Sequence, residues 1–393
     1  MGVFGLAASV GHYFRIRYLA DKADIDNAIF KLHYRFTTAA FFLSCVLVSA
    51  YDLIGPPIDC ISDDFPRPVA LNTYCWISST FTLPYQTNKL AGVDNAHPGV
   101  GPVNPDNDDL VRHAYYQWVP FMLFFQGILF YMPHYFWKSR EQDKMSIITD
   151  GMRSNDLDCQ TEAKEKKKIL LKYLEDTRGM HLGYAWSYVI CEILNFVNVV
   201  GNIFFIDKFL GGAFLKFGAR VIQFTEWEDE NRTDPLIEIF PRVTKCTFHS
   251  YGSSGTIQKH DAMCILALNV LNEKLYVFLW FWLVILSVLS GLALAYRLAL
   301  LVSSRIRGYI FQYNGKVTSP AVLDRLVHRT SFGDFFFIHM LSKNLEGLVL
   351  KEVMDDLANE LTMEKLAGRR TPPSPKTDGI PMLPRYSKPV QLL

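Results

Sequence analysis

The sequence predicts an all-α membrane protein, with four transmembrane helices, a disulfide-stapled extracellular domain of small β content and a helical cytoplasmic domain. Three observations support this class. Four apolar runs are each long enough to cross ~30 Å of hydrocarbon, which takes about 20 helical residues. Basic residues crowd the segments expected on one side, and the two segments expected on the other side hold two cysteines each.

The composition agrees with an alternation of membrane and water. Of 393 residues half are hydrophobic and 14% aromatic, too apolar for an ordinary soluble protein, while 20% are charged, too many for a chain buried in lipid throughout. A formal net charge of only +1 gives no reason to expect a nucleic-acid partner.

The first segment, 1–35, opens on Met1-Gly2-Val3-Phe4-Gly5-Leu6 without the basic stretch of a signal peptide, and is expected to stay uncleaved on the cytoplasmic side. The spans are read at 36–54, 115–137, 182–206 and 275–302. Tyr115, Tyr116 and Trp118 open the second, Tyr135 and Trp137 close it, and Tyr276 and Trp280 open the fourth, where amphipathic rings suit a bilayer interface. Between the spans lie a first outer loop, 55–114, a cytoplasmic loop, 138–181, and a second outer loop, 207–274. The cytoplasmic loop carries ten basic residues, whereas the first outer loop has seven aspartates against Arg67, Lys89 and Arg112, so both termini are expected in the cytoplasm. The second outer loop, with eight basic residues, bears only weakly on that orientation.

The cytoplasmic parts read as folded. Lys164 to Arg178 has helix-forming composition. In 303–367, Ser331-Phe332-Gly333-Asp334 has the spacing of a helix N-cap followed by an acidic third residue, and apolar periodicity continues from Phe335 to Leu357. The segment 368–393, with six prolines and little apolar content, is expected to be a disordered tail.

Cys60 and Cys75 in one outer loop and Cys246 and Cys264 in the other form an even set on the oxidising side, which reads as two disulfides with three connectivities open. Cys60 and Cys264 lie near the spans, Cys75 and Cys246 further out, and disulfide geometry needs Cα atoms close together. Chain distance therefore favours Cys60 with Cys264 and Cys75 with Cys246. No histidine accompanies them at zinc-site spacing, so no metal is expected, and no cofactor motif is present.

Polar residues inside spans are costly, so their helical phase carries information. Thr38, Cys45, Ser49 and Asp52 share one face of the first span, and Glu192, Asn195, Asn198 and Asn202 one face of the third. Each stripe reads either as hydrogen bonding between helices or as the wall of an aqueous pore. Asparagines bridge helices well, which favours the first reading for the third span; Asp52, with Asp59 beyond it, favours a pore-lining role for the first. Pro120 lacks the amide that would bond the Tyr116 carbonyl and is expected to kink the second span. The fourth span, apolar from Tyr276 to Ala295, reads as the lipid-facing helix. The histidines are scattered near span ends and no nucleophile, base or metal constellation accompanies them, so no enzyme activity is expected.

Several stretches carry a family likeness. Tyr115-Tyr116-Gln117-Trp118-Val119-Pro120-Phe121 resembles the innexin signature; Asn72-Thr73-Tyr74-Cys75-Trp76-Ile77, the core from Phe124 to Tyr131, Lys343-Asn344-Leu345 and Lys351-Glu352-Val353 resemble arthropod innexins. Connexins share the plan but have three cysteines per outer loop. The resemblance implies a plasma-membrane gap-junction channel subunit embedded among membrane lipids. It would form a ring of eight, alone or with other innexins, that docks through its outer loops to a ring on the neighbouring cell and passes ions and small metabolites. It further implies that the N-terminal segment folds into the pore as a funnel, with Gly2, Val3 and Phe4 near its narrowest point. Asn231-Arg232-Thr233 is a glycosylation acceptor in the second outer loop, and a glycan there would hold rings apart, which leaves an undocked hemichannel as the alternative. A non-conducting tetraspan adhesion protein is the remaining rival.

Overall fold

The computed structural model describes residues 23–62, 68–87, 89, 92–103, 109–150, 152, 160–226, 236–314, 326–327 and 330–366. The tail 368–393 lies outside them.

The first helix, α1, starts with Ala28–Lys31, passes through a π-helical stretch, Leu32–Thr37, and continues over Thr38–Ile54. Asn27 caps it by accepting from the Phe30 amide at 2.6 Å. After β1 (Asp59–Ile61), α2 (Pro68–Ser78), β2 (Thr80–Thr82) and β3 (Val111–His113), the chain enters α3 (Val119–Glu141) and the short α4 (Lys144–Thr149). Then come α5 (Gln160–Asp176), α6 (Leu182–Phe209), α7 (Phe214–Glu226), the single turn α8 (Leu236–Ile239), β4 (Val243–Tyr251) and β5 (Ile257–Ile265). The last helices are α9 (Leu268–Val302), α10 (Ser304–Asn314), α11 (Phe332–Ser342) and α12 (Gly347–Leu366).

Among the described residues three helical stretches are by length and composition able to cross a membrane: Ala28–Tyr51, Leu182–Phe209 and Leu268–Val302. The second apolar run, expected as a fourth such span, forms α3, but Gln126, Pro133 and His134 and the charged end Lys138, Arg140 and Glu141 dilute its apolar character. It packs along α1, with Phe41 stacked on Phe130 at 5.4 Å between ring centres.

The expected kink at Pro120 is corrected. Pro120 stands in the first turn of α3, where its missing amide has no partner to lose, and the helix starts at Val119 instead of Tyr115. Tyr115–Gln117 is a separate 3-10 turn. The proline inside α3 is Pro133, which is buried. The fourth run is longer than 275–302, because the helix begins at Leu268. It is also less uniformly lipid-facing than expected, since Leu279, Leu283, Leu286, Ser290 and Arg297 are buried along one side.

At one end of the bundle the five strands form an antiparallel sheet in the order β1-β5-β4-β2-β3. Cys60 pairs across from Cys264 in register, and Phe81 across from Lys245. His113 lies across from Thr80, and its Nε2 is 2.7 Å from the Thr82 hydroxyl. Burial pushes the His113 imidazole down from 6.5 to about 4. The start of α9 is tied to this sheet: Asn269 donates to the Pro241 carbonyl at 2.7 Å, and the fully buried Glu273 pairs with Arg242 at 2.8 Å.

At the other end α4, α5, α10, α11 and α12 enclose a second core around Phe311, Phe335, Phe336, Leu350 and Val353. Ser331 caps α11 by accepting from the Asp334 amide at 3.2 Å. Burial alone would raise the Asp334 carboxyl, but hydrogen bonds from His181, Ser331 and the Gly179 amide hold it below the usual carboxylate range. Those bonds fasten α11 to the start of α6, and Gly333 allows the approach: a Cβ there would lie 2.5 Å from the Leu182 nitrogen and 2.7 Å from the His181 carbonyl carbon.

Two outcomes follow. Gly333→Ala must push backbone from backbone, so it is expected to destabilise by about 1–3 kcal/mol, seen as a lower unfolding midpoint of the detergent-solubilised protein; an unchanged midpoint speaks against the close contact. For His113, the unfolded ring takes a proton near 6.5 and the folded ring only near 4, so its contribution is complete above pH 6.5 and is lost as pH falls toward 4. Unfolding midpoints measured stepwise across that window should fall in the wild type and fall less in His113→Asn.

Candidate functional site

The described side chains of the first polar stripe do not form an open polar face. Thr38 is 7% exposed and its hydroxyl donates to the His33 carbonyl at 3.4 Å. Cys45 is half-buried, with its thiol 3.3 Å from the Pro120 carbonyl of α3. Ser49 is half-buried as well, the side chain of Asp52 lies outside the described residues, and Asp59 is exposed on β1, 3.4 Å from the Asn72 amide. The expectation that Thr38 looks into a pore is therefore corrected: helical spacing assigns residues to a common face but not the direction that face points. The buried seam of α1 runs through Thr37, Phe41, Ser44 and Val48, and the stripe lies along its flank. Among the side chains that α1 leaves uncovered are the apolar Leu43, Val46, Leu47 and Ile54. Gly2, Val3, Phe4 and Asn231 lie outside the described residues.

The second stripe faces the bundle. Glu192 is buried and takes a two-pronged bond from Arg297 of α9, Nε to Oε2 and Nη2 to Oε1, both 2.7 Å. The Asn27 side-chain amide adds a third bond to Glu192 at 2.7 Å. The Arg297 guanidinium also lies 5.2 Å from the ring centres of Tyr188 and Phe336. Asn195 is buried, and Asn202 donates to both the carbonyl and the side chain of Asn198. Arg297 was not anticipated, although one signal was present: it is the only charged residue in 275–302, and a carboxylate inside the bundle demands a cation at the same depth.

The disulfide end presents the other candidate surface. Cys60 is bonded to Cys264 and Cys75 to Cys246, so each bridge joins the first loop to the second across 204 and 171 residues of chain. The sulfurs of Cys60, Cys75 and Cys264 lie within 4.8 Å of one another, but every one is oxidised and offers no thiolate. Asn72 of α2 accepts from the Cys60 amide at 2.8 Å, and the Gln117 side chain donates to the Trp76 carbonyl, so α2 is held against both the sheet and the entry to α3. The β4–β5 hairpin projects away from the bridges. At its tip Tyr251 and Ile257 lie across from each other, 81% and 70% exposed.

The comparisons with known proteins cover this whole assembly of parts. The innexin family model matches residues 26–361. Innexin inx3 of Drosophila melanogaster is 45% identical over 96% of this chain and 94% of its own length. Innexin inx2 of Schistocerca americana is 45% identical over 87% of this chain and 94% of its own, and innexin shaking-B of Drosophila melanogaster 42% identical over 86% and 90%. Innexins are gap-junction channel proteins of the plasma membrane and not enzymes, a role that long apolar helices and a cross-linked loop domain fit. The chain belongs to the innexin family.

Proposed function

We propose that the chain is one subunit of a ring, expected to hold eight copies, that encloses a wide aqueous pore and docks through its disulfide domain to a ring on the adjacent cell. In this reading α1, α3, α6 and α9 all cross the membrane, the sheet lies outside the cell, and the helical domain and both termini lie in the cytoplasm. The observation that carries it is the joining of two distant loops by two bridges into one sheet with a projecting hairpin, on top of helices that bare apolar side chains on several sides. A rigid outer sheet keeps its shape on contact with a partner, and preformed shape lowers the entropic cost of association. The apolar residues left open at the entry to α3 and on it, Trp118 and then Phe121, Phe124 and Phe125, together with those of α1 and α9, suit lipid and neighbouring subunits.

The hairpin tip is the docking element in this reading, because Tyr251 and Ile257 are large, exposed and furthest along the strands from the bridges. Tyrosine and aliphatic anchors at the centre of an interface carry a large share of its free energy. The undocked hemichannel remains a second reading on the strength of Asn231-Arg232-Thr233.

Three measurements check the proposal. Solubilised particles viewed along their axis should be rings with a central opening; a monomer without one sinks the reading. Replacing both Tyr251 and Ile257 with Asp should lower conductance between paired cells at least about tenfold while current across a single membrane persists; equal conductance in wild type and variant removes the hairpin from docking. Replacing both Cys60 and Cys264 with Ser should destabilise the outer domain by about 2–5 kcal/mol and reduce cell-to-cell conductance without loss of the protein from the surface.

A further inference from the structure

Residues 23–27 enter α1 without regular secondary structure, yet their polar groups are taken up by four other parts of the molecule. The Ile25 carbonyl accepts from the Trp137 indole of α3 at 3.2 Å. The Asn27 amide donates to the Tyr188 hydroxyl of α6 at 3.1 Å, and the Asn27 side chain reaches Glu192, which in turn holds Arg297 of α9. Asp26 accepts from the Tyr34 hydroxyl at 3.0 Å, and Asp24 pairs with Lys31 at 2.6 Å.

The contact from the helical domain differs in kind. Asn344 lies in the turn between α11 and α12, is 8% exposed, and forms two bonds with the backbone of Asp24. Its side-chain oxygen accepts from the Asp24 amide at 2.6 Å and its side-chain nitrogen donates to the Asp24 carbonyl at 2.9 Å. The same nitrogen bonds the Met340 carbonyl at 2.9 Å, which fixes the carboxamide's orientation against the end of α11. Ala23 and Ile25 also pack on the core of that domain, but apolar contact alone lets surfaces slide. A carboxamide that exchanges both bonds with the backbone of one residue does not, because each bond is directional and a shift breaks both.

We propose that Asn344 is a positioning residue of the channel: its clamp on Asp24 ties the helical domain to the head of α1, so that a movement of that domain is delivered to the first membrane helix. This rests on the channel reading above. The clamp joins parts 320 residues apart in sequence, at the point where α3, α6 and, through Glu192, α9 also meet the chain.

The test uses the full chain carrying Asn344→Ala or Asn344→Asp, with two readouts: hydrogen exchange in solubilised particles and the conductance–voltage relation in paired cells. Asn344→Ala should speed exchange of the amides of residues 24–27 at least about tenfold, leave residues 335–341 at the wild-type rate, and displace the conductance–voltage curve at unchanged surface amount. Asn344→Asp keeps an acceptor for the Asp24 amide but loses both donated bonds, so it should fall between Ala and wild type. Unchanged exchange at 24–27, acceleration spread equally through 335–341, or a superimposable conductance–voltage curve in a conducting variant each overturns the proposal. A wild-type chain that passes no current overturns the channel reading instead, and the exchange readout then decides on the clamp alone.

Discussion

The ion pair between Glu192 and Arg297 is the constraint around which the helix bundle is arranged. Both groups are buried, and taking two charges out of water costs several kcal/mol per ion unless their mutual geometry and further hydrogen bonds compensate. Here the two-pronged bond, the Asn27 amide and the two aromatic faces over Arg297 supply that compensation. Because a planar guanidinium meets a carboxylate in a narrow set of orientations, the pair sets both the rotation and the relative height of α6 and α9. It also draws in the N-cap residue of α1, so three helices share one polar junction. Leaving either charge without the other would cost about 3–5 kcal/mol, which makes the junction an all-or-none feature of the native packing.

The opposite end is held by a different chemistry. The two disulfides close long stretches of chain and remove entropy from the unfolded ensemble, which suits a small sheet that has little core of its own. That core consists of Ile58, Leu71, Tyr116 and Leu266 packed around the sulfurs. The link to the bundle is again polar: the buried Glu273 and Asn269 at the start of α9 bond Arg242 and the Pro241 carbonyl, so the sheet is anchored to a long apolar helix. The helices are thus pinned at both ends, by a charge network toward one domain and by covalent bridges toward the other. These two sets of contacts join the disulfide domain, the long helices and the helical domain into one connected structure.

Much of this was legible in the chain. The four apolar runs all became helices, the spacing Ser331 to Asp334 became an N-cap, and the distances of the cysteines from the spans favoured the two pairs that the structure joins. The misreadings have physical causes. Pro120 reads as a helix breaker only if the helix already exists upstream, and the 3-10 turn at Tyr115–Gln117 ends before it. Thr38 reads as exposed to water because it is polar, yet a threonine hydroxyl inside a helix is satisfied by a carbonyl in the preceding turn. Arg297 was hidden by its place near the end of an apolar run, where a basic residue reads as an interfacial anchor.

By itself the sequence determined the local physics: which segments are apolar enough to leave water, where helices start, which cysteines are able to meet, and through whole-chain likeness the family. Those properties depend on composition and spacing, which are written along the chain. The tertiary structure alone decided direction and partnership. That the stripe of α1 flanks a buried seam, that Glu192 finds Arg297 at a separation of 105 residues, and that Asn344 grips the backbone of Asp24 all depend on how helices rotate against one another. Rotation is set by the sum of contacts from every neighbour, and no single segment encodes it.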